Sequence, residues 1–492
     1  MISHYIIMEE EKKEEPDLDK ELVINEKYKI LYRLGKGGFS KVYLVKNIHD
    51  NKKYAMKVLL QKRNSEKNKN NFQKEINLLK DLYKLNNSYI LKLYDEGKFI
   101  SEDQIERLYF VVDYAEKGDL YYYLKINNGL GEKFSKILFK KILEGIQFCH
   151  DNNICHFDIK VQNILLDEKF NPIINDFGSS KTIKNTDTNE LMEYKGTRGT
   201  KRIMCPQMFE EGKTYNGIDA DIFALGVLLF YLVIGKSCFK NAIDDSYKNI
   251  KDKNYENLWN TITQTDGLSN EFKNLFVRMV AYNPEERPRI KEILLDPWLN
   301  ELNILIEKNP DEYKKLENEY IDFMGKLEEK INEMLHVEIQ APEEKKGEEK
   351  QNTRGISFDE SKKYFINLTP KKIKDKRNYK YYIQIKGYIN ANDFMNLLLN
   401  EIKEVYDNNC LLQTDEEELK FKITFINEDD EEENDEEIEE EEDIRKDCIM
   451  KVKLFDNNNE YLLCFDKCEG DLEEFYENFL KIKNIIQGIF NK

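Results

Sequence analysis

Short apolar runs separated by turn residues dominate the chain from residue 28 onwards. Runs rich in Val, Ile, Leu and Tyr cover 28–45, 53–60, 90–98 and 108–114, and one stretch with the spacing of a helix covers 71–85. Runs of this length and composition are typical of β-strands. The pattern predicts a small lobe made mostly of β-strands.

Beyond Gly118, apolar residues recur at steps of three and four, which is the period of a helix. This spacing predicts helices over 133–151, 220–234, 255–263, 270–280 and 290–295. The same spacing over 310–337 predicts one amphipathic helix. That helix can pack on the preceding lobe or on a partner, and a coiled coil is also compatible with the pattern.

The last part of the chain has the pattern of a small α+β module. Strands are expected over 380–388, 419–426, 449–455 and 461–465, and helices over 391–405 and 472–490. Residues 428–443 interrupt the module, and 14 of these 16 residues are Asp or Glu. Such a block cannot pack into a core, so a solvated loop is expected.

Charged segments without periodicity mark the expected boundaries. They give a flexible leader (1–27), a two-lobed domain (28–300), a helical extension (301–337), a charged linker (338–374) and the α+β module (375–492).

The charge of the 492-residue chain is unevenly distributed, although 40% hydrophobic residues exclude disorder throughout. Residues 28–300 hold 43 basic and 36 acidic residues, a net charge of +7, and the rest hold 33 basic and 58 acidic residues, a net charge of −25. Nonspecific nucleic-acid binding depends on neutralising phosphates, so no nucleic-acid partner is expected. A basic segment of the same chain is a better partner for the acidic block.

Eight scattered cysteines include no CxxC pair, so reduced thiols are expected. The first residues fit neither a signal peptide nor a transit peptide, and no transmembrane segment is expected. These features predict a cytoplasmic protein.

The first lobe contains two features suited to phosphate groups. Gly35-Lys36-Gly37-Gly38-Phe39-Ser40-Lys41-Val42 joins two strand runs, and glycines let backbone amides approach a phosphate. Lys57 would place a cation under this loop, and Glu75 can pair with Lys57 and orient it. Taken alone, these residues also fit a turn, a solvated lysine and an exposed glutamate.

The second lobe carries a more specific set. His156-Phe157-Asp158-Ile159-Lys160-Val161-Gln162-Asn163 is followed, 13 residues after Asn163, by Asp176-Phe177-Gly178. Phosphoryl transfer needs a carboxylate to orient and deprotonate a hydroxyl, a cation to neutralise charge, and oxygen ligands for Mg²⁺. Asp158, Lys160 and the pair Asn163 and Asp176 supply these groups. These two motifs are too specific to occur together on one chain by chance, so we reject a purely structural interpretation of them.

With these motifs, residues 28–300 resemble the eukaryotic protein kinase family, closest to its calmodulin-dependent and AMP-activated relatives. The resemblance implies an α+β, bilobal fold with a small β-rich lobe and a large helical lobe. It also implies transfer of the ATP γ-phosphoryl group, with Mg²⁺, to Ser or Thr hydroxyls of protein substrates, because Asp158-Ile159-Lys160 is similar to the Ser/Thr rather than the Tyr kinase pattern.

The resemblance implies a role for each matched residue. Asp158, as the base, with Lys160, Lys57 and Glu75 would be catalytic, and Asn163 and Asp176 would bind the metal. The residues implied in nucleotide binding are Gly35, Lys36, Gly37, Gly38, Phe39, Ser40, Val42, Ala55, Lys57, Asp113, Ala115 and Asp119. Thr200 would sit against Asp158 and Lys160, Asp221 would brace the catalytic loop, and Arg287 would close the helical lobe.

Three positions depart from the family pattern. Phe157 stands where an Arg usually receives the activation-loop phosphate, and Phe223 replaces a usual Trp. Gln207 replaces a Glu, so Arg287 should donate a charge-assisted hydrogen bond to Gln207 instead of forming an ion pair. No catalytic atom is lost, so we expect an active enzyme that does not depend strictly on loop phosphorylation. A nucleotide-binding scaffold without turnover is the alternative.

Residues 375–490 resemble the kinase-associated C-terminal domain of AMP-activated and microtubule-affinity-regulating kinase relatives, through the order of their elements and the strands around 420–425 and 461–465. The resemblance implies a regulatory module that binds anionic lipid or its own kinase domain. The acidic block opposes lipid binding and favours intramolecular docking. A purely solubilising insertion is the alternative.

Overall fold

The computed structural model describes residues 22–36, 39–60, 66–101, 104–185, 187–262 and 267–340, and strand and helix residues between 371 and 486. The chain divides into two compact units, one made of 1–62, 101–105 and 332–492, the other of 63–100 and 106–331. Gly37, Gly38, most of the expected leader and linker, and the acidic block 428–443 lie outside the described residues.

The first unit begins with antiparallel strands, each paired with the next: β1 (Val23–Ile24), β2 (Tyr28–Lys36), β3 (Ser40–Asn47) and β4 (Lys53–Leu59). Their apolar side chains form a buried core that includes Tyr28, Tyr43 and Met56. The run predicted over 28–45 is therefore two strands. The last residues of the expected leader are not unstructured, because Val23 and Ile24 pair with β2.

The second unit begins with α1 (Glu66–Lys84) and the hairpin of β5 (Leu93–Ile100) and β6 (Glu106–Asp113). Helix α1 buries an apolar stripe formed by Phe72, Ile76, Leu79 and Leu82. The stripe follows the three- and four-residue spacing that the sequence predicts.

Helices form most of the remaining second unit: α2 (Tyr121–Asn127), α3 (Gly131–Asp151), α4 (Gly217–Ile234), α5 (Lys248–Lys251), α6 (Tyr255–Thr261), α7 (Asn270–Met279), α8 (Ile290–Leu294), α9 (Pro297–Lys308) and α10 (Pro310–Leu335). Two small antiparallel two-stranded sheets accompany them, β7 (Ile154–Cys155) with β10 (Lys181–Thr182), and β8 (Ile164–Leu166) with β9 (Pro172–Ile174). A strand-rich segment followed by a helical lobe confirms the predicted fold class.

Helix α4 is the central helix of this lobe. By length and composition it could cross a membrane, but 94% of it is buried inside the protein, so it serves as a core helix. The Asn216 side chain accepts a hydrogen bond from the Asp219 amide at its start, and Gly235, with φ 79°, ends it. Both are ordinary helix caps.

Helix α10 packs on the helical lobe that precedes it. The Tyr320 hydroxyl group donates to the Phe170 carbonyl oxygen at 2.8 Å, and the Phe323 ring stacks on Phe134 with centroids 4.7 Å apart. Met324 and Leu327 are buried in the same face. The sequence pattern left open whether this helix packs on the preceding lobe, on a partner or in a coiled coil, and the structure shows the first of these.

A seven-stranded sheet forms the C-terminal part of the first unit: β11 (His336–Gln340), β12 (Lys371–Lys372), β13 (Tyr381–Lys386), β14 (Cys410–Asp415), β15 (Lys420–Phe425), β16 (Cys448–Asp456) and β17 (Glu460–Glu469). The strand order is β11-β13-β17-β16-β15-β14, with β12 beside β16. All four predicted strands are present. Strands β11, β12 and β14 were not predicted; β11 runs from the end of the expected helical extension into the expected linker, and β12 lies within that linker.

Candidate active site

A buried carboxylate on α4 fixes the catalytic loop. The backbone amides of His156 and Phe157 each donate to Asp221 at 2.8 Å, and His150 Nε2 lies 2.9 Å from Asp221 Oδ2. Asp221 is fully buried, so these hydrogen bonds replace the water that the carboxylate loses. The bracing contact expected of Asp221 is therefore present, and it orients the residue that follows, Asp158.

Three of the predicted residues meet at the Asp158 carboxylate. Asn163 Nδ2 donates to Asp158 Oδ2 at 2.9 Å, and Lys160 Nζ lies 3.0 Å from the same oxygen. Thr200 donates to Asp158 Oδ1 through its amide at 3.0 Å and its hydroxyl at 2.6 Å. Lys160 Nζ also donates to Thr200 Oγ1 at 2.6 Å. A carboxylate held by four donors has a fixed orientation, as a positioned base requires.

Gly199 brings the activation segment, which we take as residues 181–202, close enough for this contact. Its φ is +82°, and a Cβ atom added there would lie 2.1 Å from the Phe157 carbonyl oxygen. Glycine is therefore required by both the backbone conformation and the available space.

Asn163 and Asp176, the predicted metal ligands, lie on two segments of the second unit that are hydrogen-bonded to each other. The Asn163 amide nitrogen donates to the Asp158 carbonyl oxygen at 2.8 Å and to its carboxylate, so the Asn163 amide oxygen is left for another ligand. The Asn175 amide donates to the Asn163 carbonyl oxygen at 2.9 Å, which joins the two segments. Within the described residues there is no cluster of three or more His, Cys, Asp or Glu side chains fit for a metal. Amide and carboxylate oxygens are ligands that hard cations prefer, so binding of a metal by Asn163 and Asp176 stays a prediction.

Glu75 lies beside Asp176. A Cβ atom added to Gly178 would lie 3.3 Å from Asp176 Oδ1 and 3.7 Å from Glu75 Oε2. Glu75 is buried on the inner face of α1. The bland interpretation of an exposed helical glutamate is therefore wrong, because this carboxylate faces the segment that holds Asp176.

The first unit holds the predicted phosphate-loop residues and Lys57. Gly35 pairs with Val42 across β2 and β3, and Val42 pairs with Lys57 across β3 and β4. Ala55, two residues before Lys57, lies on the same face of β4. Phe39 is 52% exposed and Ser40 is buried. Gly35, Val42 and Lys57 thus form a row across three strands, as the hypothesis that Lys57 lies under the glycine-rich loop requires within this sheet.

The predicted adenine and ribose contacts lie around the end of β6 and the start of α2. The Asp113 carboxylate accepts hydrogen bonds from the Tyr94 hydroxyl at 2.6 Å and from the Lys92 amide at 3.3 Å. Ala115 is buried. Asp119 Oδ1 accepts a hydrogen bond from the Tyr121 amide at 3.1 Å, in the turn that precedes α2. These hydrogen bonds of the Asp113 and Asp119 side chains were not predicted from the sequence.

Gln207 and Arg287 form the hydrogen bond that the sequence predicts. Arg287 Nη2 donates to Gln207 Oε1 at 2.9 Å, and both residues are buried. The Arg287 guanidinium group also lies 5.1 Å from the centroid of the Phe223 ring. Phe223 therefore takes part in a cation–π contact at the position of the usual Trp.

Cys149 and Cys155 are packing residues next to the catalytic loop. Both are fully buried free thiols. Burial raises the pKa of both thiols well above its usual range, so the reactive thiolate form is suppressed. Neither thiol is part of the candidate site.

Sequence reasoning missed the side chains that surround Phe157. Tyr194, Arg198 and Tyr215 lie against the Phe157 ring or against one another. These residues are up to 58 positions apart in the chain, so no local motif announces them.

A family model described as "Protein kinase domain" matches residues 28–299. Over 267 residues the chain is 32% identical to "Probable serine/threonine-protein kinase MARK-B" of Dictyostelium discoideum, covering 54% of this chain and 35% of that protein. It is similar to two proteins named "Carbon catabolite-derepressing protein kinase", 31% identical over 277 residues in Candida tropicalis and 32% over 272 in Candida glabrata. These matches cover 56% and 55% of this chain and 41% of each relative, so the chain spans well under half the length of the relatives it matches.

Proposed function

Because this chain belongs to the protein kinase family, we propose that it transfers the γ-phosphoryl group of ATP to serine and threonine hydroxyl groups of protein substrates. The observation that carries the proposal is the convergence of Lys160, Thr200 and Asn163 on the Asp158 carboxylate. A serine/threonine kinase is also the function in the name of one relative.

Asp158 would orient the substrate hydroxyl group and accept its proton as the hydroxyl oxygen attacks phosphorus. Lys160, 3.0 Å from Asp158, would neutralise negative charge that develops on the transferred group. Thr200 and Asn163 would keep the carboxylate in one orientation before the substrate arrives. Such positioning avoids the entropy cost of assembling the reacting groups in solution.

Mg²⁺ is the cation that we propose; Asn163 and Asp176 would hold it through their side-chain oxygens, and when bound it would offset phosphate charge. Lys57, oriented by Glu75, would contact the α- and β-phosphates. The loop residues from Gly35 to Val42 would lie over the phosphates, Ala55 and the backbone of Asp113 to Ala115 would contact adenine, and Asp119 would contact the ribose.

We further propose that the C-terminal module regulates this activity within the same chain and that the protein acts in the cytoplasm. Support for the first proposal is the charge of the acidic block at 428–443, opposite in sign to that of the kinase domain. Anionic lipid is a less favoured ligand, because the acidic block would repel it.

Asp158→Asn tests the proposed function. The variant should lose at least about 100-fold in turnover, because proton acceptance contributes that much or more in positioned bases. Its ATP-induced rise in melting temperature should match that of the wild type, because the Asp158 carboxylate acts on the hydroxyl group. Labelled ATP and a mixed Ser/Thr peptide library supply the assay, and Lys57→Met defines the background.

Asp187→Asn is the matched control, because it makes the same change at an exposed position of the activation segment. It should retain wild-type turnover. Undiminished turnover in Asp158→Asn would remove Asp158 from the mechanism, and a wild type no better than Lys57→Met would make the chain a nucleotide-binding scaffold.

A further inference from the structure

Three aromatic rings lie together next to Asp158, and one of them belongs to Phe157, the residue that precedes it. The Phe157 ring contacts the Tyr194 and Tyr215 rings edge to face, with centroids 5.2 Å and 6.1 Å away. Tyr194 and Tyr215 exchange backbone hydrogen bonds of 2.8 Å and 3.0 Å, so the two tyrosines are held side by side. We call these three residues the aromatic cage.

Arg198 occupies the cage. Its Cζ atom lies 5.7 Å from the Phe157 ring centroid and 5.5 Å from that of Tyr194. Its Nε atom is buried without a hydrogen-bond partner, and no carboxylate pairs with Arg198 among the residues the structure describes. The rings of Phe157 and Tyr194 therefore stabilise this partly buried cation.

The cage holds the activation segment in register with the catalytic loop. Arg198 lies against the Phe157 ring, Gly199 lies against the Phe157 carbonyl oxygen, and Thr200 donates to Asp158. Three consecutive residues of the segment thus contact two consecutive residues of the loop. A displacement of Arg198 would move Thr200, which is only two residues away.

The backbone conformation of Phe157 also indicates that its neighbours hold this residue in place. Its φ is +66°, which is unfavourable for a bulky side chain. Such a conformation persists only where the surroundings enforce it. Its amide is held by Asp221 and its ring by the cage, so Phe157 cannot relax independently of the activation segment.

We propose that Arg198 is a positioning residue for phosphoryl transfer, which fixes Thr200 against Asp158 by cation–π contact with the aromatic cage and without a phosphate group on the segment. The inference rests on the proposed function. It explains how order is kept although Phe157 stands where the family usually has the phosphate-binding arginine.

A phosphate group on Thr197 is the alternative way in which the activation segment could be held in this position. Thr197 is exposed and precedes Arg198, and Lys181, a candidate phosphate partner, lies near Arg198 and Lys74. Burial, then the nearby charges of Arg198 and Lys74, lowers the pKa of Lys181, so this region has an excess of positive charge. The experiment must therefore separate the arginine from a phosphate.

Arg198→Met in the full chain tests the proposal, because it keeps the length of the side chain and removes the cation. Turnover of a Ser/Thr peptide should fall about 10-fold, the size of a cation–π contact of one to two kcal/mol, and the KM for ATP should be unchanged. Hydrogen exchange at the Thr200 amide, which donates to Asp158, should accelerate. Arg198→Lys keeps the cation and should recover most of the turnover.

Lys195→Met is the matched control at an exposed lysine of the same segment and should behave as the wild type. Phosphatase treatment and Thr197→Ala should also leave turnover and exchange unchanged. If Arg198→Met does not fold, Tyr194→Leu, which removes one cage wall at a half-buried position, is expected to give the same loss of turnover and the same faster exchange.

Two results would overturn the proposal: wild-type turnover and exchange in Arg198→Met, or a phosphatase-treated wild type that loses both. The two readouts also separate this inference from the proposed function. Suppose that the wild type is inactive but its Thr200 amide is protected from hydrogen exchange, and that this protection is lost in Arg198→Met. The proposed kinase function would then be wrong, whereas the positioning contact of Arg198 would be supported.

Discussion

Arg287 is a buried cation surrounded by neutral hydrogen-bond acceptors. Its three guanidinium nitrogens donate to the Ala281 carbonyl oxygen at 2.9 Å, the Asp219 carbonyl oxygen at 3.0 Å and the Gln207 side chain at 2.9 Å. The amide nitrogen of Gln207 in turn donates to the Tyr282 carbonyl oxygen at 2.7 Å. Gln207 is thus used through both its oxygen and its nitrogen, and a carboxylate could replace only the first.

Gln207→Ala should lower the free energy of unfolding by about 2–4 kcal/mol, because it leaves a donor of the buried Arg287 cation unsatisfied. Gln207→Glu should gain less than about 1 kcal/mol over the wild type, since the new ion pair is offset by burying a charge and by facing an oxygen toward the Tyr282 carbonyl. Urea unfolding measures both effects. Gln73→Ala, at an exposed position of α1, is the control. A gain of several kcal/mol in Gln207→Glu would contradict this account.

The grouping of side chains around the Asp158 carboxylate could be predicted from sequence because most of them lie in one short motif, while their catalytic roles stay a prediction. Asp158, Lys160 and Asn163 lie within six positions, and the loop between them folds back on itself. The aromatic cage could not be predicted, because its contacts arise from the path of the activation segment between distant residues. Likewise, the side chains of Asp113 and Asp119 have local hydrogen-bond partners that no residue pattern encodes.

Helix α10 lies beyond the part of the chain that matches the family model, yet it is built into the second unit. Lys117, just before α2, lies 2.7 Å from Glu328 of α10, with both side chains less than 30% exposed. Tyr320 is 1% exposed, and burial raises its pKa well above the usual range, so its hydroxyl group remains a hydrogen-bond donor. The helix is therefore anchored by apolar burial with a few polar contacts.

Tyr320→Ala should lower the free energy of unfolding by about 3–5 kcal/mol, because it removes a fully buried ring. Tyr320→Phe should cost only about 1 kcal/mol, the typical value of one hydrogen bond. Denaturant unfolding of the second unit measures the difference, and Asp322→Ala, exposed on the same helix, should be neutral. Equal stability of all three variants would show that α10 adds nothing to the fold.

Helices with a polar face were predicted closely, whereas other elements were missed for identifiable reasons. Helices α3, α7 and α10 each have an apolar stripe, and their predicted bounds differ from the observed ones by at most two residues. Helix α2 begins with three consecutive buried tyrosines and lacks a polar face, so it shows no periodicity. Strands β11 and β14 are short, and their pattern does not differ from that of the neighbouring segments.

The kinase domain is basic and the rest of the chain is acidic, and the structure shows which basic side chains of the activation segment are exposed. Of the basic residues in the activation segment, Arg198 is held in the aromatic cage and Lys181 is partly buried. The other basic side chains of the segment are exposed to solvent, namely Lys184, Lys195, Lys201 and Arg202. Lys201 and Arg202 directly follow Thr200, so an acidic segment bound there would compete with protein substrate.

Neutralising the acidic block should therefore raise activity at low ionic strength. Each exposed contact contributes about 0.2–1 kcal/mol, so replacing every Asp and Glu of 428–443 by Asn and Gln should increase turnover of a peptide substrate about two- to fivefold in dilute buffer. At physiological salt, where the Debye length is roughly 8 Å, the increase should shrink, and at high salt it should vanish. The substitution keeps the chain length, so deletion of the same residues serves as the second variant and should behave alike. Equal turnover of the three chains at every salt concentration would instead mean that the block acts only to keep the protein in solution.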